Sequence, residues 1–331
     1  MKQLNFTWKL LWLLLVLEQS LCSKAISHSF VEIDVTDFGA IGDGVTDDTN
    51  ALRKIFLDLQ DKETTQIIHF PANKTFVTAP LNLSSNLILQ VDGRIEAITN
   101  ASQNFNSQWP QIPPLEAYSS SEDNGRYLQY QSFIYSTGAT NIVIQGQGTI
   151  DGKGEWWWDK FKHDSASLPA GRPNLIQFVN CTNVEISGVS LIQSPFWTIH
   201  PVQSKDIHIH HIKIRAPMYA PNVDGIDPDS SQNVLIEYND ISCGDDHIAI
   251  KAGRCGLGDS WIDKTPCQDD PNFLSGNYKT ANVTIRYNIF RIGMGIAIGS
   301  EISGGVEDVN VYQNIIGLCE HGSEDPSKSC G

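Results

Sequence analysis

One short phrase recurs through the C-terminal half of the chain. It reads Asn183-Val-Glu-Ile with Leu191, then Asp206-Ile-His-Ile with Ile214 and Asn233-Val-Leu-Ile with Ile241. It returns as Asn282-Val-Thr-Ile with Phe290 and Asp308-Val-Asn-Val with Ile316. The template is Asn or Asp, then apolar residues at +1, +3 and +8; looser copies begin at Asn86 and Asn141. Alternation at +1 and +3 is the period of a strand, not of a helix. A strand–turn–strand unit returning every ~20–30 residues marks a solenoid, in which each coil buries its face only against its neighbours. The longer step from Asn233 to Asn282 reads as one coil carrying a loop around Cys255 and Cys267. The Leu ladder of a leucine-rich repeat is missing. The repeat therefore predicts an all-β fold, a single-stranded parallel β-helix. Upstream, Asp47-Asp48-Thr49 offers capping oxygens before Ala51, Leu52, Ile55, Phe56 and Leu59, which share one helical face. This short N-terminal helix is expected to cover the open end of the apolar stack, otherwise an exposed sheet edge.

Charge and leader bound the partners. The 331 residues carry a net charge of −15, with 40% apolar and 18% charged residues. Disorder is excluded by the apolar content, and a nucleic-acid partner by the acidic balance. The apolar run Leu10–Leu17 follows Lys2 and Lys9. It falls short of the ~20 residues that span a bilayer and fits a secretory signal peptide. Residues 1–25 are accordingly read as a signal peptide cleaved after Ala25, and residues 26–331 as one β-helix domain, exported, monomeric and not membrane-bound. Loss of Cys22 leaves Cys181, Cys243, Cys255, Cys267, Cys319 and Cys330, an even set that predicts disulfides in an oxidising compartment. Local clasps Cys255–Cys267 and Cys319–Cys330 are the expected pairs. Sequons at Asn73, Asn82, Asn100, Asn180 and Asn282 predict a glycoprotein; Asn282, opening a repeat, is the poorer acceptor.

A second column lies 13 to 18 residues after the repeat starts: Trp197-Thr-Ile-His-Pro, Asp224-Gly-Ile-Asp-Pro, Asp246-His-Ile-Ala-Ile and Met294-Gly-Ile-Ala-Ile. Aligned by coil, Trp197, Asp224, Asp246 and Met294 stack, with Asp245 beside them. Carboxylates one rung apart, ~4.8 Å, repel, and at least one pKa must rise, as acid–base chemistry needs. Two other readings stand beside this one: turn capping, which accounts well for Asp227, Asp229 and Asp259, and a calcium site. His208, His210 and His211 alternate on a strand; surface stacking suits them better than a metal, because no carboxylate or Cys sits at ligand spacing. Trp156–Trp158 can stack on sugar or pack over a face of the solenoid. No metal or cofactor is expected.

Asn222-Val-Asp-Gly-Ile-Asp-Pro-Asp-Ser-Ser followed by Gly244-Asp-Asp-His-Ile-Ala-Ile-Lys resembles glycoside hydrolase family 28, the polygalacturonases. Gly293-Met-Gly-Ile-Ala-Ile-Gly-Ser-Glu is similar to the family's third motif. Asp37-Phe-Gly-Ala-Ile-Gly-Asp-Gly-Val-Thr-Asp-Asp-Thr is similar to the opening segment of plant-type members and other pectin-lyase-like β-helices. Gly148-Thr-Ile-Asp-Gly-Lys-Gly-Glu-Trp-Trp-Trp and Ser194-Pro-Phe-Trp-Thr-Ile-His-Pro also match. The resemblance implies a right-handed pectin-lyase-like β-helix that hydrolyses α-1,4-galacturonosyl linkages of pectin with inversion. Asp245 would be the general acid, and Asp224 and Asp246 the pair that holds and activates water. Asn222 would contact substrate. Lys251 is either a contact to a sugar carboxylate or a solvated strand-end lysine.

Two departures accompany the resemblance. Met294 stands where the family often has His between the glycines. The family's later Arg-Ile-Lys motif has no match before Gly331, so the C-terminal coils are expected to be missing and activity impaired. Two rival functions remain: a pectate-lyase-type β-elimination enzyme, and an inactive β-helix that binds acidic polysaccharide. The expected partner in every case is polygalacturonate or a related acidic polysaccharide of the plant cell wall.

Overall fold

The computed structural model describes residues 30–60, 63–99, 105–115, 118, 128–254 and 275–317. The signal peptide, Asn100, Asp259, and the expected pairs Cys255–Cys267 and Cys319–Cys330 lie outside the described residues.

Three parallel sheets run along the molecule. The first has nine strands, from Val31–Asp34 to Val306–Tyr312, and the second nine, from Asp43–Asp47 to Ile315–Ile316. The third begins with Leu81–Asn82, Ile134–Thr137, Ile176–Val179 and Ile199–Val202. It continues through a bridge at Ile226 to Ile248–Ile250 and Ile296–Ile298. Successive coils supply successive strands, which makes the fold a right-handed parallel β-helix.

The repeat is explained letter by letter. Its +3 residues Ile186, Ile209, Ile236, Ile285 and Val311 pair in register, as do Val184, Ile207, Val234, Val283 and Val309 at +1. At +8, Leu191, Ile214, Ile241, Phe290 and Ile316 form a third ladder. These ladders are buried as far as Val283, Ile285 and Phe290, whereas Val311 and Ile316 in the last described coil are exposed. Burying one such side chain contributes ~1.5–3 kcal/mol, so stacking of coils, not any single coil, holds the fold. Val234 pairs directly with Val283, so the step between Asn233 and Asn282 is one coil, as expected.

The polar letter encodes a turn. Asn86, Asn141, Asn183, Asp206, Asn233, Asn282 and Asp308 all have φ between +55° and +59°, a left-handed conformation that Asn and Asp tolerate best among residues with a Cβ. Their side chains form ladders: Asn141 Nδ2 donates to Asn86 Oδ1 at 2.8 Å and Asn183 to Asn141 at 2.8 Å. Further along, Asn233 donates to Asp206 at 2.7 Å and Asn282 to Asn233 at 2.9 Å.

Helix α1, Thr49–Asp58, buries Thr49, Leu52, Ile55 and Phe56 against the core. Its capping differs in detail from the sequence reading. Asp47 accepts the Thr49 N–H, while buried Asp48 accepts from the N–H groups of Ile41 and Gly42 and anchors the preceding loop. Helix α2, Glu155–Asp164, buries Trp157 and Trp158; Trp157 packs among Phe105, Trp109 and Tyr130. These two tryptophans therefore pack over the solenoid. His208 stacks on His210 and bonds Glu237, while His211 stacks on Tyr238. Cys181 and Cys243, which neither expected pair includes, are free and buried in the core. They sit in different coils and act there as small apolar side chains.

Candidate active site

The third sheet sets the register of the acidic column. Ile199, Ile226, Ile248 and Ile296 pair side by side across four coils. Two residues earlier in each coil stand Trp197, Asp224, Asp246 and Met294. The Thr198 N–H donates to Asp224 O and the Gly225 N–H to Asp246 O, both at 2.9 Å. The stack read from sequence is thus the stack of the folded chain.

Local chemistry fixes the turn that carries Asp245 and Asp246. A Cβ on Gly244 would lie 2.0 Å from the Ala220 carbonyl oxygen, so only glycine permits this approach. The N–H groups of Gly244 and Asp245 both donate to Val223 O, at 3.2 and 3.3 Å, docking the turn on the segment that holds Asn222 and Asp224. From beneath, Cys243 Sγ lies 3.3 Å from the carbonyl oxygens of both Asp245 and Asp246. From the next coil the Met294 N–H donates to Asp245 O at 2.8 Å.

The segment Gly293–Gly295 packs on a histidine of the preceding coil. Met294 is exposed, but the buried His247 ring lies against Gly293, where a Cβ would sit 2.6 Å from its Cε1 and Nε2. His247 Nδ1 accepts the Gly295 N–H at 3.0 Å. Burial pushes the His247 pKa down, so the ring is neutral.

Burial also sets the carboxyl groups. It pushes Asp224, 4% exposed, up to about 7; Lys251 pulls the other way, and Asp245 and Asp246 add to the rise. Asp245 is raised by burial against the pull of Lys251, and Asp246 by burial and by Asp245. Asp227, fully buried, is pushed well up by burial and by Asp224. Sequence reading had assigned Asp227 to turn capping; it lies instead at the charged centre of the site.

Lys251 does not fit its reading as a solvated strand-end lysine. It is 4% exposed, so it is not a solvated lysine, and its ammonium is enclosed. Nζ lies 2.8 Å from Glu301, 3.9 Å from each of Asp224 and Asp227, and 4.2 Å from the centre of the Trp197 ring. Burial opposes its charge, but Asp227, Glu301 and Asp224 outweigh that and raise its pKa. Beside it, fully buried Asp229 accepts from the Tyr118 hydroxyl, from Ser230 Oγ at 2.8 Å and from the Gly253 N–H at 2.9 Å; His200 Nε2 lies 3.2 Å away. Burial would raise Asp229, yet the bonds to His200, Tyr118 and Ser230 hold it below the usual range.

Asn222 stands half-exposed at the edge of this cluster with φ +54°. The structure thus brings Asn222, Asp224, Asp245, Asp246 and Lys251 together, and adds Asp227 and Glu301. Buried and half-buried carboxyl groups gathered around one ammonium, with Asp224, Asp227, Asp245 and Asp246 all raised by burial, are equipped for proton transfer at a bound sugar.

A family model described as Glycosyl hydrolases family 28 matches residues 61–322. The chain belongs to this family. A probable polygalacturonase of Vitis vinifera is 36% identical over 293 residues, covering 86% of this chain and 55% of that protein. An endo-polygalacturonase of Pectobacterium carotovorum subsp. carotovorum is 31% identical over 244 residues, covering 70% and 53%. The crystal structure of a hyperthermoactive exopolygalacturonase from Thermotoga maritima superposes with TM-score 0.68 at 28% identity, covering 86% of this chain and 66% of that one. This family 28 chain spans about half the length of the curated relatives it matches. Among the described residues no helix is long and apolar enough to cross a membrane.

Proposed function

We propose that this chain is an exported hydrolase that cleaves α-1,4-galacturonosyl linkages of polygalacturonate by inversion. The observation that carries the reading is the register placing Asp224 one rung from Asp246, with Asp245 docked beside them on Val223. Membership of family 28 and the names of the relatives support the substrate class.

Asp245 gives its proton to the glycosidic oxygen as the bond to the anomeric carbon breaks. Burial raises its pKa, which favours the protonated form a general acid needs. Water held by Asp224 and Asp246 attacks the anomeric carbon from the opposite face, and its proton passes to Asp246. Inversion needs acid and base about 6.5–9.5 Å apart to admit that water. Asn222 contacts the sugar. Lys251 balances the carboxyl groups of Asp224, Asp227 and Glu301. The apolar leader and the exposed sequon asparagines Asn73 and Asn180 support export.

The test is release of reducing ends from polygalacturonate by the full chain made in an oxidising host. Hydrolysis gives saturated ends and survives a calcium chelator. Unsaturated ends absorbing in the near ultraviolet mean a lyase, and binding without cleavage means a polysaccharide-binding β-helix.

A further inference from the structure

A buried arginine stands directly behind Asn222. Arg172 is 2% exposed and follows α2 on the way to the strand Ile176–Val179. Its guanidinium lies 3.9 Å from the centre of the Phe161 ring, from α2, and 4.7 Å from that of Phe196. One nitrogen donates to the carbonyls of Pro221, at 2.8 Å, and Pro195, at 3.2 Å. The other donates to Asn222 Oδ1 at 2.9 Å.

The consequence is chemical. A guanidinium only donates and stays protonated at any working pH, so the atom of Asn222 facing Arg172 must be its oxygen. The Asn222 amide is thereby fixed, and its NH2 group points away from Arg172; no described residue accepts from it. Two N–H donors on a half-exposed side chain beside Asp245 suit a carboxylate or hydroxyl oxygen of an acidic sugar. A freely flipping amide would present its oxygen, a repulsive partner for that carboxylate, part of the time.

We propose that Arg172 is a positioning residue that locks Asn222 as a hydrogen-bond donor toward an acidic sugar in the cleft. This rests on the reading of the site as a galacturonan-binding one. Rings on both sides and three donated bonds hold the guanidinium, so the lock is built into the core and not into a mobile surface contact.

The experiment measures calorimetric binding of a short oligogalacturonate to the full chain, alongside kcat and KM on polygalacturonate. Arg172→Met and Asn222→Ala are each expected to weaken binding and raise KM by about tenfold to a hundredfold, as for loss of a hydrogen bond to a charged group, with kcat changed less. The double variant is expected to be no weaker than Asn222→Ala alone, because Arg172 acts only through Asn222. Asn222→Asp, which keeps the Arg172 contact but presents an acceptor, is expected to bind as poorly as Asn222→Ala. Arg172→Lys, which preserves a buried cation, covers the case in which Arg172→Met fails to fold, and is expected to recover only part of the affinity. Additive losses, full affinity in a folded Arg172 variant, or full affinity in Asn222→Asp would overturn the proposal. A wild-type chain that neither binds nor cleaves polygalacturonate overturns the functional reading itself, and the lock with it.

Discussion

Glu301 takes the Lys251 ammonium at 2.8 Å, across 50 residues of chain. The bond ties the third family motif to the strand that follows Asp245 and Asp246. It puts a cation beside Asp224, Asp227 and Glu301, carboxyl groups that would otherwise repel one another out of position. Removing the ammonium leaves buried Asp224 and Asp227 and half-buried Glu301 without the cation beside them. Lys251→Met is therefore expected to lose ~3–5 kcal/mol of stability, the usual cost of breaking a buried pair from one side. Urea unfolding of the variant measures it, and a loss below ~1 kcal/mol, the range of surface pairs, would refute the enclosed geometry.

Asp245→Asn keeps shape and removes the proton to be donated. Acid assistance is normally worth ~10²–10⁴ in rate, so kcat on polygalacturonate is expected to fall by that factor with little change in KM. Initial rates of reducing-end release check it. A variant within a few-fold of wild type removes Asp245 from the acid role.

The carboxyl cluster also gives stability a pH dependence whose sign can be derived. Folding raises Asp224 to about 7 and Asp227 well above its ordinary value. The folded chain thus keeps protons that the unfolded chain releases near pH ~4; the Asp224 contribution is full below that pH and lost as pH rises through about 7, and that of Asp227 runs in the same direction. His200 and His247, kept neutral by burial, slope the other way below their ordinary value of 6.5. Comparing wild type with Asp227→Asn cancels the histidine slope. The variant is expected to gain stability relative to wild type as pH rises above the ordinary carboxyl value of 3.8. A difference independent of pH, by urea titration at each pH, would mean that Asp227 does not hold the extra proton.

Much of this architecture was legible in the chain because the solenoid writes each coil with the same letters. Val184, Ile186 and Leu191 declare the core positions, and Asn183 declares the left-handed turn that starts the coil. Once the coils align, Asp224 and Asp246 must neighbour each other, so their pairing followed from spacing alone. What spacing does not carry is contact between outward side chains of different turns. Asp227 reads like any turn aspartate until Lys251 folds over it, and Glu301 reaches Lys251 from a separate coil. Arg172 sits in a loop outside the repeat, and only the approach of Phe161 and Phe196 shows why it is buried. Helix α2 was missed because its Trp-rich face packs on the solenoid without a clear helical stripe.

The thiols offer a separate check. Cys181 and Cys243 are buried and free, and burial raises both thiols, so neither should react in the native protein. Alkylation followed by mass spectrometry is expected to modify both only after unfolding in denaturant without reductant. Failure to label either one under those conditions would mean that it is paired.

The central claim is that Asp245 and the Asp224–Asp246 pair act from opposite faces of the sugar. The stereochemistry of the first product reads this out directly. Proton NMR of polygalacturonate during the earliest turnover by the full chain should show new reducing ends in the β configuration, followed by slow mutarotation. Initial appearance of the α anomer would mean retention through a covalent intermediate and would contradict the assignment of these three carboxyl groups.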